Sequence, residues 1–173
     1  HDSLSARLHP RMAAAALVAA IRAKGGEVII GDGADEGPVV WASGLAGLQA
    51  LSDDLGRTVG DGVKGQALLL RHAAETLPQL FVAGLHIIPH ADATVAIGSP
   101  SGHQWSGPTS TDDQLAALCS AAIAALPVLA GAEVIERWAG VRPRAKSRAP
   151  ILGHWPGRPG PFVANGGFKI GFG

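Results

Sequence analysis

The chain has 173 residues, which is long enough for one domain with a hydrophobic core and too short for two full-sized domains. Its 14 basic and 14 acidic residues give a net charge of zero. The composition therefore shows no excess of positive charge that would favour binding to nucleic acid or to an acidic membrane surface. The apolar stretches are too short to span a membrane, and the single cysteine, Cys119, excludes an internal disulfide framework and favours a cytoplasmic protein.

A helix is the first element that the sequence predicts. Pro10 suits a first helical position, because its missing N–H would have no partner there. Residues 12–24 are rich in strong helix formers, and the pair Gly25-Gly26 supplies a stop. We therefore predict a helix between Pro10 and Gly25.

Two short strands and a second helix are predicted next. Residues 27–30 and 39–42 are apolar runs rich in β-branched side chains, and the second run has the character of a buried strand. Residues 45–55 carry apolar side chains at helical spacing and stop at Gly56. The helix-to-strand steps are typical of α/β structure.

The middle of the chain predicts an antiparallel sheet. Residues 59–70 read as a bent strand, and residues 80–90 and 93–99 form a hairpin pattern around a turn at residues 91–93. Together they propose a sheet of at least three strands. With the flanking helices, the expected fold class is α+β with α/β elements.

Three polar side chains of this sheet are candidate ligands. His86 and His90 lie four residues apart and therefore on one side of a regular strand. As metal ligands they lack a third partner at useful spacing, so no metal site is predicted. Lys64 is expected to be a solvated strand lysine rather than a ligand of an anion.

A further helix follows a loop that covers residues 101–109. Ser110 and Thr111 are predicted to cap it, and Asp112 and Asp113 favour the positive end of its dipole. Pro127 ends it. After this helix, residues 134–141 lead into the segment in which we expect the functional site.

Arg142 is the best candidate in the chain for binding an anionic substrate. Pro143 follows it and restricts the backbone of Arg142 to extended conformations. Its guanidinium is a planar fork of donors that suits a carboxylate. The alternative is a surface or ion-paired arginine. Trp138, just before it, is expected to be a core residue, or else an anchor beside a ligand.

The second candidate region is the glycine-rich end of the chain. Asn165, Gly166 and Gly167 are followed closely by Gly171 and Gly173. Missing side chains let backbone amides approach a ligand and permit positive φ, so the segment is a plausible cradle for a cofactor edge. The alternative is an ordinary hairpin with Gly-Gly at its turn. The sequence has no Ser/His/Asp or paired-carboxylate signature, so no catalytic side chain is predicted.

Several short motifs occur together along the chain. They are HPR at residues 9–11, VVWASG at 39–44, VKGQ at 63–66, WAGVRP at 138–143, PILG at 150–153 and NGG at 165–167. In this order they resemble the C-terminal half of the FAD-dependent D-amino acid oxidase and glycine oxidase superfamily. No GxGxxG follows a strand, so the N-terminal nucleotide-binding lobe of that superfamily is expected to be missing.

The resemblance implies a division of the chain. Residues 1–62 would be a remnant of the FAD-binding lobe, residues 63–136 the substrate-binding lobe with its sheet and helix, and residues 137–173 a carboxylate-binding and flavin-facing segment. The whole would be part of an FAD/NAD(P)-binding-type two-lobe fold. The remaining partner would be the missing lobe or a second copy of the chain.

The resemblance also implies residue roles. Arg142 would bind the substrate carboxylate, and Lys169 would give a second hold, because relatives carry an arginine where this chain has Ala164. The residues expected to contact FAD are Ala42, Ser43, Gly44, Asn165, Gly166, Gly167, Phe168 and Lys169.

The activity implied is oxidation of a small amine or amino acid. A hydride would pass from the amine-bearing carbon to the flavin, and the resulting imine would hydrolyse. The alternative is a non-catalytic fragment or degenerate domain that binds a partner or a small carboxylate without cofactor. The absent GxGxxG favours the alternative for this chain alone, and the order of the motifs favours the enzyme for the parent protein.

Overall fold

A computed structural model of the chain describes residues 6–102 and 105–168. Its helices are α1 (Pro10–Ala23), α2 (Gly44–Asp54) and α3 (Gln114–Ala125), followed by a 3₁₀ turn at Pro127–Leu129. Its strands are β1 (Val40–Trp41), β2 (Gly60–Arg71), β3 (Leu80–Val82), β4 (Leu85–Pro89), β5 (Thr94–Gly102), β6 (Val134–Ala145), β7 (Ile151–His154) and β8 (Phe162–Asn165). The predicted α+β class is confirmed.

The larger sheet has five strands in the order β3-β4-β5-β2-β6, and every neighbouring pair is antiparallel. The pairing of β2 with β5 has a register shift between Gly65 and Ala67, an irregularity of the kind that bends strands. Because side chains alternate along a strand, the sheet has two distinct faces. The core face carries Leu68, Leu70, Ile87, Val95 and Ile97, which pack with Leu115, Leu118 and Ala122 of α3.

The smaller sheet has the order β1-β8-β7, with β1 parallel to β8. α2 packs beside it, so that Leu51, Trp155 and Val163 form a second core cluster. Trp155 Nε1 donates to Asp54 Oδ2 at 2.7 Å, which joins α2 to the loop after β7. This sheet joins residues 40–41 to residues 162–165.

Two predicted strands differ from the structure. Residues 27–30 form no strand, and Ile30 is 100% exposed. β1 has only two residues, and Val40 is 62% exposed instead of buried. A strand needs a neighbour to pair its backbone, and in the described residues none lies beside residues 27–30. The apolar pattern alone could not reveal this.

The predicted hairpin is confirmed in outline but divided differently. Residues 80–90 form two strands, because Ala83 and Gly84 both have positive φ, at 49° and 81°, and reverse the chain between β3 and β4. A two-residue turn with both φ values positive matches the twist of a hairpin. His86 and His90 do lie on one side of the sheet, as their spacing predicted.

α3 begins at Gln114, so Asp112 and Asp113 lie before it and not in its first turn, where they were predicted. Asp112 Oδ1 accepts hydrogen bonds from the Gln114 amide at 3.0 Å and from Gln66 Nε2 at 2.7 Å. Gln66 Oε1 accepts in turn from the Asp112 amide at 2.9 Å. The Ser110 hydroxyl donates to the loop carbonyls of residues 106 and 107, so it caps nothing.

Lys64 is also placed differently from the expectation of a solvated lysine. It is only 5% exposed, and its Nζ donates to the Ser106 carbonyl at 3.3 Å. Alternation along β2 turns its side chain toward the loop that precedes α3. The four-carbon stem is therefore covered by that loop.

α1 begins with Pro10, as predicted, and buries none of its residues within the described chain. Met12 and Leu17 are more than half exposed. Among the described residues, no helix is both long and apolar enough to cross a membrane. The proposed division into residues 1–62, 63–136 and 137–173 stays a prediction, and its last boundary falls inside β6.

Candidate functional site

A cavity of about 390 Å³ lies on the face of the larger sheet that is opposite α3. We call this face of the sheet the cavity face. The floor of the cavity is mainly apolar, formed by Ala67, Leu69, Ile88 and Ala96. The segment before α1 closes one side. The other residues that matter for its chemistry are His9, His86, His90, Trp138 and Arg142.

Arg142 lines this cavity from β6, where it pairs with Val63 of β2. Its guanidinium carbon lies 5.4 Å from the centroid of the Phe168 ring. Burial lowers the pKa of the Arg142 guanidinium, yet an arginine stays protonated in proteins. A charged, planar donor group therefore lines a mostly apolar cavity.

Trp138 forms part of the cavity wall rather than the core, so the expectation of a core residue is wrong. The guanidinium carbon of Arg11 lies 5.4 Å from the centroid of its ring. Arg11 donates to both carboxylate oxygens of Glu136, at 2.5 and 2.6 Å. These bonds lower the pKa of Glu136 and keep both groups charged. The pair fixes the start of α1 against β6.

The predicted cofactor residues near Gly44 and Asn165 are brought together by the smaller sheet. β1 and β8 are parallel, so the segments that follow them leave from the same edge. The buried Asn165 side chain donates through Nδ2 to the Gly44 carbonyl at 2.7 Å. Ala42 and Ser43 lie exposed just before α2, and Ser43 makes no side-chain capping bond to it.

The glycine-rich segment crosses from β8 to β6. The Ala145 amide donates to the Gly166 carbonyl at 3.1 Å, and the Phe168 amide donates to the Pro143 carbonyl at 3.0 Å. Gly167 forms an isolated bridge with Arg144. These bonds place Phe168 beside Arg142. We call residues 165–168 the glycine ledge.

Not every backbone amide of the glycine ledge is available to a ligand. The Gly166 amide donates to Asn165 Oδ1 at 2.7 Å, so it is used within the protein. The Phe168 amide is also used, by the Pro143 carbonyl, which leaves the Gly167 amide as the candidate for a backbone hydrogen bond to a ligand. Lys169, the other predicted substrate and cofactor contact, lies outside the described residues.

A glycine is required at position 166 for two reasons. Its φ is +75°, and an added Cβ would lie 2.8 Å from the Ala145 Cβ. We expect Gly166→Ala to destabilise the protein by about 1–2 kcal/mol more than Gly157→Ala. Gly157 has the same φ of +75° but open space around it, so Gly157→Ala introduces backbone strain without a close contact. Urea denaturation of both variants measures the difference, and equal losses would show that the contact with Ala145 is unimportant.

The contribution of the N-terminal segment was not expected from the sequence. His9 lies before α1 and reaches His90, with 4.2 Å between ring centroids. The HPR motif marked this segment only by resemblance. A second cavity, of about 470 Å³, lies between α2 and β7. It contains none of the predicted site residues.

The chain matches one protein family over residues 1–173, described as FAD dependent oxidoreductase. The glycine oxidase of Pseudomonas putida is 37% identical over 128 residues, which are 70% of this chain and 35% of that protein. The chain spans about a third of the length of the curated relatives that it matches.

Solved structures agree with the sequence matches. Glycine oxidase from Geobacillus kaustophilus superposes with a TM-score of 0.66 at 28% identity, covering 78% of this chain and 37% of that one. Iminodiacetate oxidase from Chelativorans sp. BNC1 gives a TM-score of 0.66 at 26% identity, covering 82% and 40%. The resemblance drawn from the motifs is confirmed. Because the family match extends over every residue, the chain belongs to the family of FAD-dependent oxidoreductases.

Proposed function

We propose that the protein containing this chain is an FAD-dependent oxidoreductase that oxidises a small amine or amino acid, and that Arg142 binds the substrate carboxylate. The observation that carries this proposal is the Arg142 guanidinium, half-buried at an apolar cavity and 5.4 Å from Phe168 of the glycine ledge. Glycine and iminodiacetate, named in the similar oxidases, are both small amines that carry a carboxylate.

The residues present fit one part of the cofactor surface. The start of α2, with Ser43 and Gly44, lies next to the Asn165 side chain, and a helix N-terminus favours anionic groups. The ledge leads from there to Arg142. We propose that Ala42, Ser43, Gly44 and residues 165–169 contact FAD, and that a nucleotide-binding lobe or a second copy supplies the rest of its surface.

The residues of this chain bind and orient the substrate. Arg142 fixes one end by pairing with the carboxylate, and the apolar floor at Leu69, Ile88 and Ala96 excludes water from the rest of the molecule. Lys169 is proposed as a second cationic contact. The chemistry that FAD would supply when bound is acceptance of a hydride from the amine-bearing carbon. Holding the substrate at a defined distance from the ledge is then the main task of the protein.

The division into a remnant of the FAD-binding lobe (residues 1–62), a substrate-binding lobe (residues 63–136) and a flavin-facing segment (residues 137–173) is part of the same proposal. A cytoplasmic location is also proposed, on the basis of the single cysteine. The competing idea of a non-catalytic domain gains no support from the relatives, since those named above are oxidases.

The absorption spectrum of the purified full-length protein tests the proposal. We expect a flavin band that bleaches when glycine or another small amino acid is added without oxygen, because the substrate reduces the cofactor. Residues 1–173 expressed alone are the control and should bind FAD weakly. A full-length protein that stays colourless after addition of FAD would favour the non-catalytic alternative.

A further inference from the structure

Three potential metal ligands meet at one end of the cavity. His9 lies before α1, His90 follows β4, and Asp92 lies in the turn between β4 and β5. One ligand atom from each lies within 4.8 Å of the other two. His9 Nε2 is 3.7 Å from Asp92 Oδ2. The sequence could not reveal this cluster, because His9 is distant from the other two along the chain.

The spacing suits a small divalent transition metal. Zinc bonds of about 2.0–2.2 Å to nitrogen and oxygen hold their ligand atoms about 3–4 Å apart in a tetrahedral site. The three atoms need to move by less than about an ångström each to reach that arrangement. Asp92 and His9 are partly exposed at the surface, with 47% and 18% of their side chains accessible, so their side chains can make this adjustment.

Thr94 fixes the tautomer of His90. The Thr94 hydroxyl donates to Asp92 Oδ1 at 2.6 Å, since a carboxylate can only accept. The same oxygen lies 3.1 Å from His90 Nδ1, so it must accept a hydrogen bond from an Nδ1–H. Nε2 of the buried His90 is therefore the nitrogen with an available lone pair. An outer hydrogen bond of this kind orients metal-bound histidines in general.

The other groups around the cluster leave the imidazoles available. His90 is 7% exposed and its ring lies against that of His9, with 4.2 Å between the ring centroids. Nδ1 of His9 is buried and has no hydrogen-bond partner within residues 6–102 and 105–168. Arg7, whose positive charge also faces His90, donates to the carbonyls of Leu77 and Glu75.

We propose that His9, His90 and Asp92 bind a divalent transition metal of the zinc class, through two imidazole nitrogens and one carboxylate oxygen. His9 and His90 line the cavity, so water or a ligand oxygen can complete the coordination. The metal links the segment before α1 to the β4–β5 turn and stabilises that end of the cavity. This site goes beyond the proposed oxidation, in which none of the three side chains has a role.

Equilibrium dialysis of the full-length protein against Zn²⁺ tests the site. We expect one bound ion, with an affinity reduced at least about tenfold in His9→Gln and in Asp92→Asn. The matched control is His86→Gln. His86 lies on β4 and lines the same cavity as His90, and the variant should bind zinc as the unchanged protein does. Zn²⁺ should also raise the melting temperature of the unchanged protein and of His86→Gln, but not that of His9→Gln.

Two results would overturn the proposal. One is a full-length protein that takes up no zinc at millimolar concentration, and the other is equal affinity in all the variants. Far-ultraviolet circular dichroism confirms that each variant is folded before dialysis. Binding is measured without substrate turnover, so a failure of this proposal is distinguishable from a failure of the proposed oxidation.

Discussion

Arg142→Ala in the full-length protein is expected to lower kcat/KM for a small amino acid by about 30- to 150-fold, equivalent to about 2–3 kcal/mol for a hydrogen-bonded contact between two charges. The guanidinium lines a mainly apolar cavity, where a carboxylate is removed from water and therefore gains more from a charged partner. The loss should be largest for substrates with a carboxylate and smaller for the corresponding amines. Steady-state oxygen consumption with matched acid and amine substrates measures it.

Arg144 offers a matched control for this experiment. Its guanidinium carbon lies 5.6 Å from the centroid of Phe168, compared with 5.4 Å for Arg142, but it does not line the cavity. Arg144→Ala should therefore remove a similar contact with the ring and leave kcat/KM within about twofold of the unchanged enzyme. If both variants lose activity equally, support of Phe168 and not carboxylate binding explains the effect.

Leu68→Ala is expected to reduce the free energy of unfolding by about 2–5 kcal/mol. Leu68 is 1% exposed and belongs to the cluster between β2 and α3, so its removal leaves a cavity in a closed core. The neighbouring Leu69 points to the opposite face and lines a cavity that is already open. Leu69→Ala should cost only about 1 kcal/mol, because little new empty space is created.

Urea denaturation followed by circular dichroism compares the two leucine variants. The same side chain is removed from adjacent residues of one strand, so helix or strand propensity does not contribute to the difference. Similar losses in both variants would mean that the cavity face is packed in solution and that the cavity is closed. A larger loss for Leu68→Ala supports the two faces described above.

Local patterns predicted most of the regular structure. Pro10 and the glycines after residue 24 bound α1, and apolar spacing with Gly56 bounds α2. These signals depend on residues that lie within one or two helical turns of each other, so they can be recognised in the sequence without knowledge of the tertiary structure. These signals did not separate Leu68 from Leu69, because residues 67–70 are all apolar and only the tertiary structure shows which of the two leucines faces the core. Asp112 was expected in the first turn of α3 but lies two residues before it, and its bond to Gln66 on β2 could not be foreseen.

What the sequence by itself determined is the set of short-range constraints. The proline after Arg142 keeps that arginine on an extended backbone, glycine permits the positive φ at position 166, and the motif order indicates the family.

Only the tertiary structure decided which distant groups meet. Strand pairing placed Asn165 against Gly44 and left residues 27–30 without a neighbour in the described chain. The packing of the segment before α1 against the larger sheet brought His9 to His90 and Asp92. A hydrogen bond or a metal site between such groups depends on their separation in space, and the local spacing of residues carries no information about that separation.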